Sequence, residues 1–150
     1  MRFNESSKRN TVRVLALAGV AVVLAACQSM GMPPSYTQTI ALSGANEVPA
    51  VGTAASGNGT VTVTPEGMVT ATIVVTNMSA TASHIHVGAA GTNGPVIVPF
   101  VKSGDNTFTA PPGAKMTPEQ YAQYKAGNTY VNVHSPTYPG GEVRAQLKGQ

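Results

Sequence analysis

The chain has 150 residues, of which 42% are hydrophobic, 10% charged and 5% aromatic, with no Trp and a formal net charge of +3. Gly 16 and Pro 11 supply too much turn chemistry for a helical bundle or coiled coil, so a single β-rich domain is the reading that composition favours. Arg2, Lys8, Arg9 and Arg13 carry four of the nine bases and lie ahead of the first apolar run, so the pI of 9.2 belongs mostly to the N-terminus. The remainder is close to neutral, which leaves no electrostatic footprint for nucleic acid.

The basic N-terminus is followed by VLALAGVAVVLAA at residues 14–26, without a charge or a polar side chain. A bilayer-spanning helix needs roughly 20 apolar residues, so this shorter run reads as the apolar core of a signal peptide. It ends in Leu24-Ala25-Ala26-Cys27, which resembles the lipobox of bacterial lipoproteins. That resemblance implies a leader over residues 1–26 and a lipidated Cys27 as the new N-terminus, anchored to a membrane on the extracytoplasmic side of the cell envelope. Gln28 follows the cysteine, and a residue other than Asp there goes with outer-membrane sorting in a Gram-negative host. Cys27 is the only cysteine, so the exported part has neither a disulfide nor a thiolate metal ligand. Residues 27–38, with Gly31, Pro33 and Pro34 and no periodicity, form a tether, and the folded domain is expected over residues 39–150.

Beyond the tether, short β-branched runs alternate with Gly, Pro and Asn turns: TIAL, GTVTVT, MVTATIVVT, HIHV, PVIVPF, NTFTA, TYVNVH and GEVRAQL. These eight runs predict an antiparallel β-sandwich. Val61 and Val63 alternate with Thr62 and Thr64, and Val69, Ala71, Ile73 and Val75 alternate in the same way with their neighbours, so each strand packs one face and wets the other. Pro65-Glu66-Gly67 between them predicts a hairpin. One helix interrupts the pattern. Thr117, Pro118 and Gln120 form a capping box with Pro at the first helical position, Gly127 closes the segment, and Tyr121 and Tyr124 share a face that packs over one end of the sandwich.

His84 and His86 form an HxH in one of these strands. Residues two apart point to the same side, so both rings face one way. His134 ends the run TYVNVH, where Tyr130, Asn132 and His134 share the face opposite Val131 and Val133. In both strands the histidines therefore lie on the side away from the aliphatic one. Neutral imidazole is a common ligand for copper and zinc, and three of them leave a coordination position open. Glu142 and Arg144, two apart, either orient a ligating histidine or fix the Pro139-Gly140-Gly141 turn. Asn46 and Glu47 are expected in an ordered loop, where Pro49 bars a regular helix. No serine nucleophile elbow, phosphate loop, paired-acid constellation or Cys-His dyad is present in the sequence.

Four separated motifs carry a resemblance: LSGANEVP at residues 42–49, HIH at 84–86 with Gly94-Pro95-Val96 after it, GNTYVNVHS at 127–135, and PGGEVRAQL at 139–147. In this order they resemble the CHRD domain, named for its repeats in chordin and widespread in bacterial secreted proteins. Ala145 departs from the Gly that the family often has there. The resemblance implies an immunoglobulin-like or superoxide-dismutase-like antiparallel sandwich, and it brings His84, His86 and His134 together. Copper-zinc superoxide dismutase also carries an HxH on a sandwich strand, an analogy of fold only. A dismutase needs a second set of metal ligands, which three histidines do not supply. The favoured expectation is a lipid-anchored metal-binding protein with copper as the preferred ion and zinc as the alternative. A non-catalytic adhesion module with a protein partner in the envelope is the second reading, and a copper redox enzyme the third.

Overall fold

Residues 34–149 are described by the computed structural model, so Cys27, the leader and the first part of the tether lie outside the described residues. Among the described residues no helix is long and apolar enough to cross a membrane.

Among the described residues nine strands form, all paired antiparallel: β1 (Tyr36–Ser43), β2 (Ser56–Val63), β3 (Val69–Thr76), β4 (Ala82–Val87), β5 (Val96–Pro99), β6 (Val101–Gly104), β7 (Thr107–Thr109), β8 (Thr129–His134) and β9 (Val143–Gln146). They are hydrogen-bonded in the order β5-β4-β8-β9-β1-β2-β3-β7-β6. The two terminal strands of that order are sequence neighbours separated only by Phe100, so the sheet curls back nearly on itself around one core. The all-β architecture expected from the sequence is the one that forms, with the short helix α1 (Pro118–Lys125) beside it.

The alternation in β2 and β3 behaves as the pattern predicts. Val61, Val63, Val69, Ile73 and Val75 are buried, while Thr70, Thr72, Val74 and Thr76 on the other parity are exposed. Val63 pairs with Val69 to close the hairpin, and Gly67 turns it at a φ of +82°, where a side chain is disfavoured. One strand, β6, lies outside the eight runs read from the sequence. PVIVPF ends as a strand at Pro99, Phe100 turns into the core, and Val101–Gly104 starts again as a fully exposed edge strand. An edge strand with both faces wet has no apolar alternation to announce it.

The helix is capped as expected. Gln120 donates its backbone N–H to Thr117 Oγ1, while Gln120 Oε1 accepts from the Thr117 N–H at 2.8 Å. Tyr124 is fully buried, takes a hydrogen bond from Gln38 Nε2 at 3.1 Å, and stacks with Tyr121 at 6.0 Å between centroids. Gln38 also exchanges hydrogen bonds with the Lys148 backbone, tying β1 to the C-terminal segment where the sheet itself is weakly closed. Only Ser43 and Arg144 pair directly between β1 and β9.

The half of the sheet built from β4, β8 and β9 departs from the one-wet-face rule. Val131 and Val133 enter the core as expected, but Tyr130 and Asn132 on the opposite face are also only 2% exposed. Three loops, at residues 44–55, 88–95 and 135–142, cover that second face, and they form its chemistry.

Candidate metal centre

Antiparallel register sets the layout. Across β4 and β8, Ala82 lies opposite His134, His84 opposite Asn132, and His86 opposite Tyr130. Across β8 and β9, Asn132 lies opposite Arg144 and Tyr130 opposite Gln146. Paired residues point to the same side of a sheet, so these side chains make one polar patch on the outer face.

The three histidines converge there. One ring nitrogen from each of His84, His86 and His134 lies within 4.8 Å of the other two, and among the described residues no Cys, Asp or Glu joins the group. Ring centroids are 5.5 Å apart for His84 and His86, 4.9 Å for His84 and His134, and 6.2 Å for His86 and His134. His86 is the buried member, and the other two are half-buried and close the site on its outer side.

Two backbone carbonyls orient the rings. His86 Nδ1 lies 2.9 Å from the Gly94 carbonyl and His134 Nδ1 lies 3.0 Å from that of Pro139. A carbonyl only accepts, so each Nδ1 carries the proton and each Nε2 keeps its lone pair. His134 Nε2 then accepts from His84 Nδ1 at 3.1 Å. The His86 Nε2 is buried and has no hydrogen-bond partner. A buried acceptor left open is costly unless an electrophile fills the place.

The rings are held neutral. Burial lowers the proton affinity of all three, and for His84 the neighbouring His134 and His86 add to this, taking its pKa from 6.5 to about 4. They are thus deprotonated and ready to donate lone pairs near neutral pH.

Arg144 and Glu142 act elsewhere than on the ring nitrogens. The Arg144 guanidinium is 1% exposed and reaches Asn93 Oδ1 at 3.1 Å, the Thr92 carbonyl at 2.8 Å and the Ala89 carbonyl at 3.4 Å, pinning the loop that carries Gly94. It also lies 3.3 Å from the Tyr130 ring centroid, and Tyr130 in turn stacks on His86 at 4.8 Å with 7° between planes. Arg144 therefore supports His86 through a loop and an aromatic ring. Glu142 accepts from Thr53 Oγ1 at 2.7 Å and so fastens the residue 44–55 loop.

Four contributors are not evident from motif reading. The Gly94 and Pro139 carbonyls are backbone groups, which carry no sequence signature beyond their neighbouring glycines. Asn132, two residues before His134 on the same face, does carry one. Glu47 is the fourth: its loop is ordered as expected, with a short 3-10 turn at Gly44–Asn46, yet its carboxyl is buried beside Asn132, and burial raises its pKa from 4.5 to about 7 against the opposing pull of Arg144.

The family model of the CHRD domain matches residues 38–147. The chain belongs to the CHRD family. The match spans all nine strands except the first two residues of β1, so the three histidines and the loops that orient them are all within the CHRD domain. No curated protein and no solved structure matches the chain.

Proposed function

We propose that this CHRD protein binds a transition metal ion through His84, His86 and His134, copper by preference and zinc as the alternative. It acts in the cell envelope as a lipid-anchored carrier, store or sensor. The observation that carries the reading is the open, buried Nε2 of His86 in a cluster where one ring nitrogen from each of His84, His86 and His134 lies within 4.8 Å of the others. The 3.1 Å between His84 Nδ1 and His134 Nε2 is close to the roughly 3.3 Å that separates two nitrogens bonded at about 2.0 Å to one tetrahedral ion. An ion seated there replaces the proton between these two rings, and His84 carries its proton on Nε2 instead. Neutral imidazoles without thiolate or carboxylate suit copper and zinc rather than magnesium or calcium. Anchoring rests on Cys27 as the only cysteine, placed at the end of an apolar leader; the outer membrane is the destination in a Gram-negative host.

Titration of the purified protein with Cu(I), Cu(II) and Zn(II), beside a triple His→Ala variant, tests the metal. One equivalent bound by the wild type and none by the variant is the expected result. Equal stoichiometry in both overturns the reading and leaves a non-catalytic envelope module that acts through a protein partner. Replacement of Cys27 by Ser tests the anchor separately, since it releases a lipoprotein from the membrane fraction.

A further inference from the structure

Besides His86 Nε2, two further buried acceptors beside it have no hydrogen bond, Asn132 Oδ1 and Glu47 Oε1, and of these Asn132 belongs to the strand face of the histidines. Asn132 is 2% exposed and sits directly opposite His84 and two residues from His134 on the same strand face. It is close enough to His86 and to Glu47 to act on the proton affinity of both. Its orientation is set from the other end. Asn132 Nδ2 points toward the Gly140 carbonyl at 3.5 Å, and a Cβ on Gly141 would meet Glu47 Oε1 at 2.5 Å and Asn132 Nδ2 at 2.6 Å, so carboxyl and amide crowd the same point. The Gly140 carbonyl takes the amide N–H₂ and the Glu47 carboxyl stands on that same side, which leaves Oδ1 for the histidine side. Two lone-pair atoms, Asn132 Oδ1 and His86 Nε2, are thereby buried in one patch without a donor. With the His86 proton held on Nδ1 by the Gly94 carbonyl, neither atom has a hydrogen to give the other, whereas one cation satisfies both.

We propose that Asn132 Oδ1 is the fourth donor of the site, making a three-nitrogen, one-oxygen set that favours the divalent ions Cu(II) and Zn(II) over Cu(I). The inference rests on the three-histidine reading above. A neutral amide oxygen is a hard donor: it adds bonding to a divalent ion and little to soft Cu(I), for which nitrogen and sulfur ligands are better matched.

Pulsed electron paramagnetic resonance on the full-length, Cu(II)-loaded protein grown with carbon-13 asparagine provides the test. A hyperfine coupling to one carboxamide carbon, absent from Asn132→Asp, together with couplings to three imidazoles, is the expected result. Asn132→Ala should lower Cu(II) affinity by about tenfold or more while changing Cu(I) affinity far less, and Asn132→Asp should raise affinity for both divalent ions. Three imidazole couplings without a carboxamide coupling in the wild type would overturn the fourth donor and leave the three-histidine site standing; a water bridging Asn132 and His86 gives that outcome. A wild type that binds no copper overturns both. The wild-type spectrum decides the matter even if Asn132→Ala fails to fold.

Discussion

His86 lies flat against Tyr130, 4.8 Å between centroids and 7° between planes. The pair joins the histidine patch to the Gly94 loop, because Tyr130 also accepts from the Gly94 N–H at 3.3 Å, and the Gly94 carbonyl is what fixes the His86 tautomer. Tyr130→Phe keeps the stack and loses the hydroxyl, while Tyr130→Leu loses both. We expect Leu to cost about 0.5–1.5 kcal/mol beyond the lost packing, and metal affinity to fall in the order wild type, Phe, Leu, read by titration and chemical denaturation.

Arg144 is expected to behave as a strut of the Gly94 loop. Arg144→Ala leaves the Thr92 and Ala89 carbonyls and Asn93 without their donor and should destabilise the protein by about 3 kcal/mol. Arg144→Lys, which keeps the charge but not the planar fork, should recover less than half of that loss in a urea titration.

Gly141 holds a φ of +133°, and a methyl group there would enter the space of Glu47 Oε1 and Asn132 Nδ2. Strain and overpacking each contribute about 1–3 kcal/mol in such cases, so Gly141→Ala should be among the most damaging single-methyl changes in the domain. Thermal melting of this variant beside Gly140→Ala, where an added Cβ meets nothing within 4 Å, isolates the effect.

Two groups give the metal-free protein opposing pH responses. The folded-state pKa of His84 is lowered from 6.5 to about 4, so within that window the unfolded chain binds more protons and stability falls as the pH falls. Glu47 is raised from 4.5 to about 7, so the folded chain binds more protons in its window, and stability is lost as the pH rises through about 7. Glu47→Gln should remove the second slope and uncover the histidine dependence; His84→Ala should weaken the first slope and leave the part that His86 and His134 contribute. Denaturation midpoints across the two windows check both signs. A Glu47→Gln variant with the wild-type profile would show that its carboxyl does not titrate on folding.

Metal retention should follow the same depressed affinities. Protons compete with the ion for imidazole, so binding weakens on acidification, but its onset should lie below the 6.5 of an ordinary histidine because burial disfavours the charged rings. Titration of copper or zinc over a pH series measures the onset, and a loss of binding centred at 6.5 would contradict it.

The amino-acid sequence by itself determined the strand periodicity, the hairpin at Pro65-Glu66-Gly67, the helix cap at Thr117 and the sidedness of His84, His86 and His134. Each of these depends on residues a few positions apart, and side-chain alternation or hydrogen bonding within one turn is enough to specify it. The sequence also carries the exposed-looking pattern of Tyr130, Asn132 and His134, which alternate with Val131 and Val133 as if facing water. Only the tertiary structure decided that this face is buried. Long-range pairing brings Arg144 opposite Asn132, and loops distant in the chain fold over both. The tautomers of His86 and His134 are likewise set by carbonyls of Gly94 and Pro139, five or more residues away, through backbone groups that every residue possesses. Glu47 shows the same limit. Its neighbours in sequence mark it as a loop residue, whereas Asn132, Gly141 and Arg144, which stand around its carboxyl, lie more than eighty positions along the chain. Local rules place side chains on faces; which faces are dry, and therefore which lone pairs are left open for an ion, is a property of the whole fold.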